Sequence, residues 1–377
     1  MLELSVIMPC LNEEKTVGVC IKKCLEVFKQ EKIKGEVIVV DNNSTDKSAE
    51  IARKAGAKAI FEPKRGYGNA YLRGLSEAKG KYIAIGDADN TYDFYEIPKF
   101  LDALREGYDF VSGTRLKGEI KPGAMPFLHR HIGNPLLTGL LNLFFKTSFS
   151  DVHCGFKAFT KEALKKLDLK CIGMEFASEL TIKASKENLK TTEIPITYCP
   201  RDKATKSKLN SFKDGWRHLR FMLLFAPNWL FLVPGILIFL VGFIFSLLIL
   251  IKGKIIIFGI SFIIHPMIFG AFLSILGLQI ISFGIYSKIY AESIGIEKNK
   301  KITNLLMRYF NLEKGTLVGV IIFLTGFLIT FYLFIRRVID GYLHAEKILI
   351  LGMTLAVIGL QIIFSSWFLS MIGVEKR

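Results

Sequence analysis

Glutamine is nearly missing from this chain: none lies between Gln30 and Gln279. The six cysteines, at positions 10, 20, 24, 154, 171 and 199, include no CxxC pair. Cys20 and Cys24 would share one helix face, where they read as small buried apolar side chains rather than a bridge. A reducing, cytosolic setting follows. Acidic residues are outnumbered, 34 against 50 Lys and Arg, leaving a formal net charge of +16. No nucleic-acid-binding module accompanies that charge, so nucleic acid is set aside and anionic lipid headgroups are the better partner. Long uncharged runs are absent before Trp229 and dominate after it. Met1-Leu2-Glu3 leads directly into a strand, so no cleaved signal peptide is expected.

What is present in the first half is alternation. Apolar strands are expected at 4–8, 36–40, 59–61 and 81–85, with helices between them ending near Lys29, Ala55 and Ala78. Short strands alternating with helices predict a mostly parallel sheet covered on both faces. Each strand ends in polar or acidic residues, which puts a site at the carboxyl ends. The fourth runs into Gly86-Asp87-Ala88-Asp89. Strand alternation would point Asp87 and Asp89 the same way, as a hard divalent cation such as Mg2+ or Mn2+ requires. A simple turn is the competing reading. Asp41 either caps the helix at Ser44-Thr45 or accepts hydrogen bonds from a base or ribose. The turn at Gly66 and Gly68 would let backbone approach a nucleotide.

Ser5-Val6-Ile7-Met8-Pro9 with Asn12-Glu13, then Val39-Val40-Asp41 with Ser44 and Asp46, then Asp87-Ala88-Asp89, resembles the family 2 glycosyltransferases with a Rossmann-like GT-A fold. The resemblance spans roughly residues 3–210. Ser112-Gly113-Thr114-Arg115, the run Asp151 to Lys157, and Arg201 with Ser207-Lys208 bring it nearest the dolichyl-phosphate and polyprenyl-phosphate sugar synthases. It implies nucleotide contacts by Pro9, Glu13, Val39 and Asp41. It implies a metal and diphosphate role for Asp87, Ala88 and Asp89, and phosphate contacts by Arg115, Arg201 and Lys208. There are two departures. Thr91 stands where relatives often carry a metal-contacting Gln, leaving Asp93 as an alternative ligand. Lys157 stands where Arg is common, which keeps the charge and loses the planar fork. The Gln-x-x-Arg-Trp motif of processive synthases is absent, which disfavours a polymerising enzyme.

Residues 124–147 are apolar but too short and interrupted to cross a bilayer, and read as amphipathic pieces lying in the interface with Arg130 near the headgroups. Residues 211–228 read as a juxtamembrane amphipathic helix, in a region where 201–220 holds seven Lys or Arg against two Asp. An all-α domain of four spans is expected at about 229–251, 256–287, 316–335 and 348–372, the second kinking or beginning late at His265-Pro266. Six Lys or Arg in 288–315 put that loop, the catalytic domain and both termini on the cytosolic face. Residues 238–243 recur at 322–327 and 277–281 at 359–363, so one helical hairpin is present twice.

The expectation is therefore a membrane enzyme that moves one sugar from a nucleotide-diphosphate sugar to a polyprenyl phosphate, with inversion implied by the resemblance. Arg130, Arg201 and Lys208 are the candidates to hold the acceptor phosphate. A different lipid acceptor bearing a hydroxyl would need a base, for which Asp151 is the candidate. A lipid carrier or flippase that only senses nucleotide sugar is the rival from another class.

Overall fold

The computed structural model describes residues 2–201, 211–257, 260–293, 312–341 and 345–374. The chain divides into two compact units between Met222 and Leu223. That boundary falls inside the segment 211–228 read as a juxtamembrane helix, and most of the helix Ser211–Leu224 groups with the first unit. Its Met222 is buried, and its His218 Nδ1 shares a hydrogen bond with Ser178 Oγ at 2.9 Å.

The first unit is built on a seven-stranded sheet. In chain order its strands are β1 (Leu4–Cys10), β2 (Gly35–Asp41), β3 (Lys58–Phe61), β4 (Tyr82–Ile85), β5 (Phe110–Ile120), β6 (Lys157–Thr160) and β7 (Thr191–Tyr198). They are ordered β3-β2-β1-β4-β6-β5-β7. All neighbours are parallel except β6, which runs against β4 and β5. The four-strand half matches the alternation read from the sequence, and its order reverses at β1 and β4, where a crevice opens outside the strand ends. Val37 to Val40 of β2 are all buried, as a strand covered on both faces requires. One covering helix, α1 (Val17–Gln30), buries Val17, Cys20, Ile21, Cys24, Val27 and Phe28, an apolar stripe of helical period. Both thiols are thus free core side chains. A second helix, α2 (Tyr67–Glu77), covers the other face of β1 and β2.

Lys157 of β6 is fully buried, and burial pulls its amine below the usual lysine range. Its Nζ donates to Ser112 Oγ (3.0 Å), the Val152 carbonyl (3.2 Å) and Thr181 Oγ1 (3.3 Å), so the three donors of an ammonium have three acceptors. The site suits a compact cation and needs no planar fork.

Among the described residues the second unit has four helices long and apolar enough to cross a membrane, at Asn228–Lys252, His265–Tyr290, Leu312–Asp340 and Glu346–Met371. The second begins at His265 rather than 256, because Ile255–Ile257 and Ile260–Phe262 pair as a short antiparallel hairpin. The internal repeat is carried by packing. A Cβ on Gly277 would strike the backbone of Phe239, and one on Gly359 the backbone of Phe323; Gly242 lies against Gly270 and Ser274 as Gly326 does against Gly352 and Ala356. Each pair is displaced by 84 residues on one helix and 82 on the other. The two hairpins meet through their second helices, where Gln361 Nε2 donates to Gln279 Oε1 at 3.0 Å, the interhelical bond expected of two glutamines in an apolar setting.

Gly74 of α2 presses on the sheet so closely that a Cβ there would enter the side chains of Ile7 and Val40. Gly74→Val should destabilise the protein by about 1–3 kcal/mol through overpacking. A fall in the unfolding temperature of the detergent-solubilised chain is the readout, with an unchanged midpoint contradicting this packing.

Candidate active site

The carboxyl ends of β1, β2 and β4 surround a cavity of about 280 Å3. Pro9, Cys10, Leu11 and Glu13 come from the end of β1 and its loop, Asn42 follows β2, and Arg65, Gly66, Tyr67 and Ala70 come from the glycine-rich turn and α2. Asp87, Ala88 and Asp89 follow β4, while Met174 and Arg201 complete the wall. Three of the turns that leave these strands are made by asparagines in the left-handed region: Asn12 (φ 53), Asn43 (φ 66) and Asn90 (φ 59). Asparagine is among the few residues that adopt it readily. A larger hollow of about 680 Å3 at Lys117, Lys146 and Glu193 holds none of this set.

The two aspartates face different partners. Asp87 Oδ1 accepts from the hydroxyls of Tyr67 (2.8 Å) and Tyr71 (3.3 Å). Burial, and then the Asp89 carboxylate, push Asp87 up to about 7. Asp89 Oδ1 accepts from Thr91 N (3.1 Å) and Thr91 Oγ1 (2.6 Å), and its Oδ2 accepts from the Arg201 guanidinium. Thr91 therefore orients Asp89 instead of extending the set. Asp93, the alternative ligand, turns away: its Oδ1 accepts from Lys23 Nζ at 3.3 Å and from Tyr95 N. Among the described residues no group of three or more His, Cys, Asp or Glu is arranged to hold a metal ion. What remains is two hard oxygen donors that repel one another, one of them already neutralised by a cation. That set fits Mg2+ or Mn2+ completing its shell with phosphate and water, and offers no nitrogen or sulfur for a softer metal.

Of the residues expected at a nucleotide, Pro9, Glu13, Asp87, Ala88, Asp89 and Arg201 are brought together and Arg115, Val39 and Arg130 are not. Arg115 is buried on β5, where it forms a two-pronged pair with Asp151 (Nε–Oδ2 2.7 Å, Nη2–Oδ1 2.8 Å) and stacks over Tyr198. Burial alone would raise the Asp151 carboxyl, but Arg115 outweighs it and holds it below the usual carboxylate range. Val39 is fully buried inside β2. Asp41 is buried and accepts from Ser44 N at 3.2 Å, but it caps no helix at Ser44-Thr45, since the helix that follows is Ser48–Lys54. Arg130 lies on the exposed turn His129–Gly133. Lys208 lies outside the described residues.

The glycine-rich turn serves a purpose the sequence did not disclose. Gly68 N donates to the Ile172 carbonyl (3.0 Å), and a Cβ at Gly68 would collide with the Cys171 carbonyl oxygen. The close backbone approach is to the protein's own 171–172 segment. Asn42, missed by the sequence reading, ties β2 to this turn: its Oδ1 accepts from Gly66 N (2.8 Å) and its Nδ2 donates to the carbonyls of Glu62 and Lys64. Arg65 was also missed, although a cation beside a glycine-rich turn is a readable signal.

Residues 5–168 match the family described as Glycosyl transferase family 2, and residues 285–373 match the Glycosyltransferase family 2 C-terminal transmembrane region. Over 373 residues the chain is 40% identical to the low-salt glycan biosynthesis hexosyltransferase Agl6 of Haloferax volcanii, an alignment covering 98% of this chain and 89% of that protein. A dolichyl-phosphate hexose transferase of the same organism is 32% identical over 215 residues, 56% of this chain and 89% of its relative. Among solved structures, glucosyl-3-phosphoglycerate synthase of Mycobacterium tuberculosis, in complex with Mn2+, uridine diphosphate and glucosyl-3-phosphoglycerate, aligns at 20% identity. That alignment covers 59% of this chain and 79% of the other, with a TM-score of 0.47.

His153 is half-buried, with neither ring nitrogen hydrogen-bonded to any of the described residues and its ring centroid 4.6 Å from that of His218. Burial, and then His218, hold it well below its ordinary value of 6.5. The unfolded chain therefore binds a proton near pH 6.5 that the folded one refuses, and stability falls as pH drops below that value. The unfolding temperature should decline from about pH 7 to about pH 5, and His153→Phe should flatten part of that decline. Parallel curves for the two proteins would refute the assignment.

Proposed function

This chain belongs to glycosyl transferase family 2, and from that membership we propose that it moves a single hexose from a nucleoside-diphosphate sugar to a membrane polyprenyl phosphate of the dolichyl type. It is a hexosyltransferase and an integral membrane protein. The observation that carries the reading is the clamp: Asp87 and Asp89 beside Arg201, in one cavity at the carboxyl ends of the parallel strands. The acceptor is supported by the name of the dolichyl-phosphate hexose transferase among the relatives.

Mg2+ or Mn2+, held by Asp87 and Asp89, would supply charge neutralisation for the leaving diphosphate. The chain's own residues do the rest. Pro9, Leu11 and Glu13 wall the cavity on the β1 side, where Asp41 and Asn42 fix the neighbouring strand end. Arg201 pairs with Asp89, and its planar fork would be available to phosphate if that carboxylate held a cation. Arg65 adds a second positive group to the same cavity. A phosphate monoester acceptor, with a second pKa of about 6, arrives ionised and needs no general base. Asp151, the base a hydroxyl acceptor would require, has both oxygens committed to Arg115, which favours the phosphate acceptor. Inversion follows from a single displacement at the sugar carbon.

The catalytic unit faces the cytosol in this reading, in line with the basic composition of 288–315. Its surface at 127–143 exposes Phe127, Leu128, Ile132, Leu136 and Leu143 around Arg130, chemistry that suits contact with lipid headgroups and the upper acyl chains. Lys208 remains a candidate for the acceptor phosphate.

The test is to incubate the purified full-length protein with polyprenyl phosphate, Mn2+ and a panel of nucleotide sugars. One sugar should yield a polyprenyl-phosphate hexose, chelation should stop the reaction, and Asp89→Ala should lower the rate about 100-fold to 1,000-fold, as losing a principal charge stabiliser does. Transfer undiminished by either treatment would overturn the clamp. Transfer only to a hydroxyl-bearing lipid would overturn the acceptor.

A further inference from the structure

We propose that Tyr67 and Tyr71 are positioning residues for the cation site: their two hydroxyls fix one oxygen of Asp87 and reserve the other for the metal. This inference rests on the metal reading above. The second torsion of an aspartate is a broad rotor with no strong preference of its own, so its orientation is set by what it is bonded to. Both phenolic hydroxyls converge on Oδ1, and none of the described residues donates a hydrogen bond to Oδ2. Gly155 keeps the second oxygen uncrowded, since a Cβ there would stand 3.2 Å from Oδ2 and 3.3 Å from the Tyr67 hydroxyl.

The mount is rigid. Tyr71 is fully buried and stacks on Phe176 with ring centroids 5.0 Å apart and planes 9° from parallel. Tyr67 meets Tyr71 edge-on at 4.9 Å and 86°. The start of α2 is pinned by the hydrogen bond from Gly68 N to the Ile172 carbonyl. The spacing explains the convergence: residues four apart on a helix share a face, and the glycine-rich turn delivers that face to the end of β4.

Outer partners of this kind typically contribute 10-fold to 100-fold in metal affinity. The experiment titrates the full-length protein with Mn2+ and follows free Mn2+ by electron paramagnetic resonance. Tyr67→Phe, which keeps the ring and its packing, should weaken Mn2+ binding by about 10-fold to 100-fold, and Tyr71→Phe by less because its bond is longer. In hexose transfer, Tyr67→Phe should raise the Mn2+ concentration for half-maximal rate, with kcat restored by excess Mn2+. A purely structural role would lower kcat at all Mn2+ concentrations. Should Tyr67→Phe fail to fold, Tyr71→Phe carries the same measurement. Wild-type Mn2+ affinity in whichever variant folds overturns the proposal. Mn2+ binding by wild type that Asp89→Asn leaves intact overturns the metal reading itself, and this inference with it.

Discussion

Two like charges held one residue apart at a buried strand end are unstable unless something opposes them. In this protein the opposition is distributed: Arg201 takes one oxygen of Asp89, Thr91 the other, and two tyrosines take one oxygen of Asp87. Even so, Asp87 is pushed up to about 7, first by burial and then by its neighbour. A cation bound between such carboxylates would remove the repulsion that folding leaves in place, which is what the metal proposal draws on. The surrounding architecture keeps that tension fixed. The parallel strands deliver the aspartates to the crevice, the glycine-rich turn delivers the tyrosines, and the chain after β7 returns Arg201 from 112 residues away.

The second unit repeats one device. Small residues let helices within each hairpin approach to backbone contact, and the glutamine pair joins the hairpins at their second helices. Interhelical hydrogen bonds in membranes contribute modestly, about 0.6 kcal/mol on average, so close packing contributes more and the glutamines specify which faces meet. Such a unit suits anchorage in a membrane.

Much of the architecture was legible because it follows from period and polarity. Continuous apolar strands of four or five residues ending in Asp41 and Asp87 point to a parallel sheet and its functional edge. The recurrence of 238–243 at 322–327 and of Gly-Leu-Gln-Ile-Ile at 359–363 identifies the duplicated hairpin. What escaped was set by partners distant in sequence. Arg115 reads as a phosphate ligand until Asp151, 36 residues on, captures its guanidinium. Gly66 and Gly68 read as a nucleotide cradle, whereas Gly68 accommodates the backbone of 171–172. Antiparallel β6 starts at the last residue of a run that reads as a site motif, and the paired strands Ile255–Ile257 and Ile260–Phe262 lie inside a run apolar enough to read as membrane. Tyr67 and Tyr71 carry a helical spacing whose meaning depends on knowing what lies beneath it.

The central proposal is that Asp87 and Asp89 would hold a divalent cation, which would leave Arg201 for phosphate. An anomalous-difference map from crystals of the full-length protein grown with Mn2+ and a nucleoside diphosphate tests it most directly. The account predicts one peak at Asp87 and Asp89 beside the bound diphosphate, with Arg201 turned from Asp89 to phosphate. A nucleotide bound in this cavity with no peak there, and with Arg201 still paired to Asp89, would contradict it.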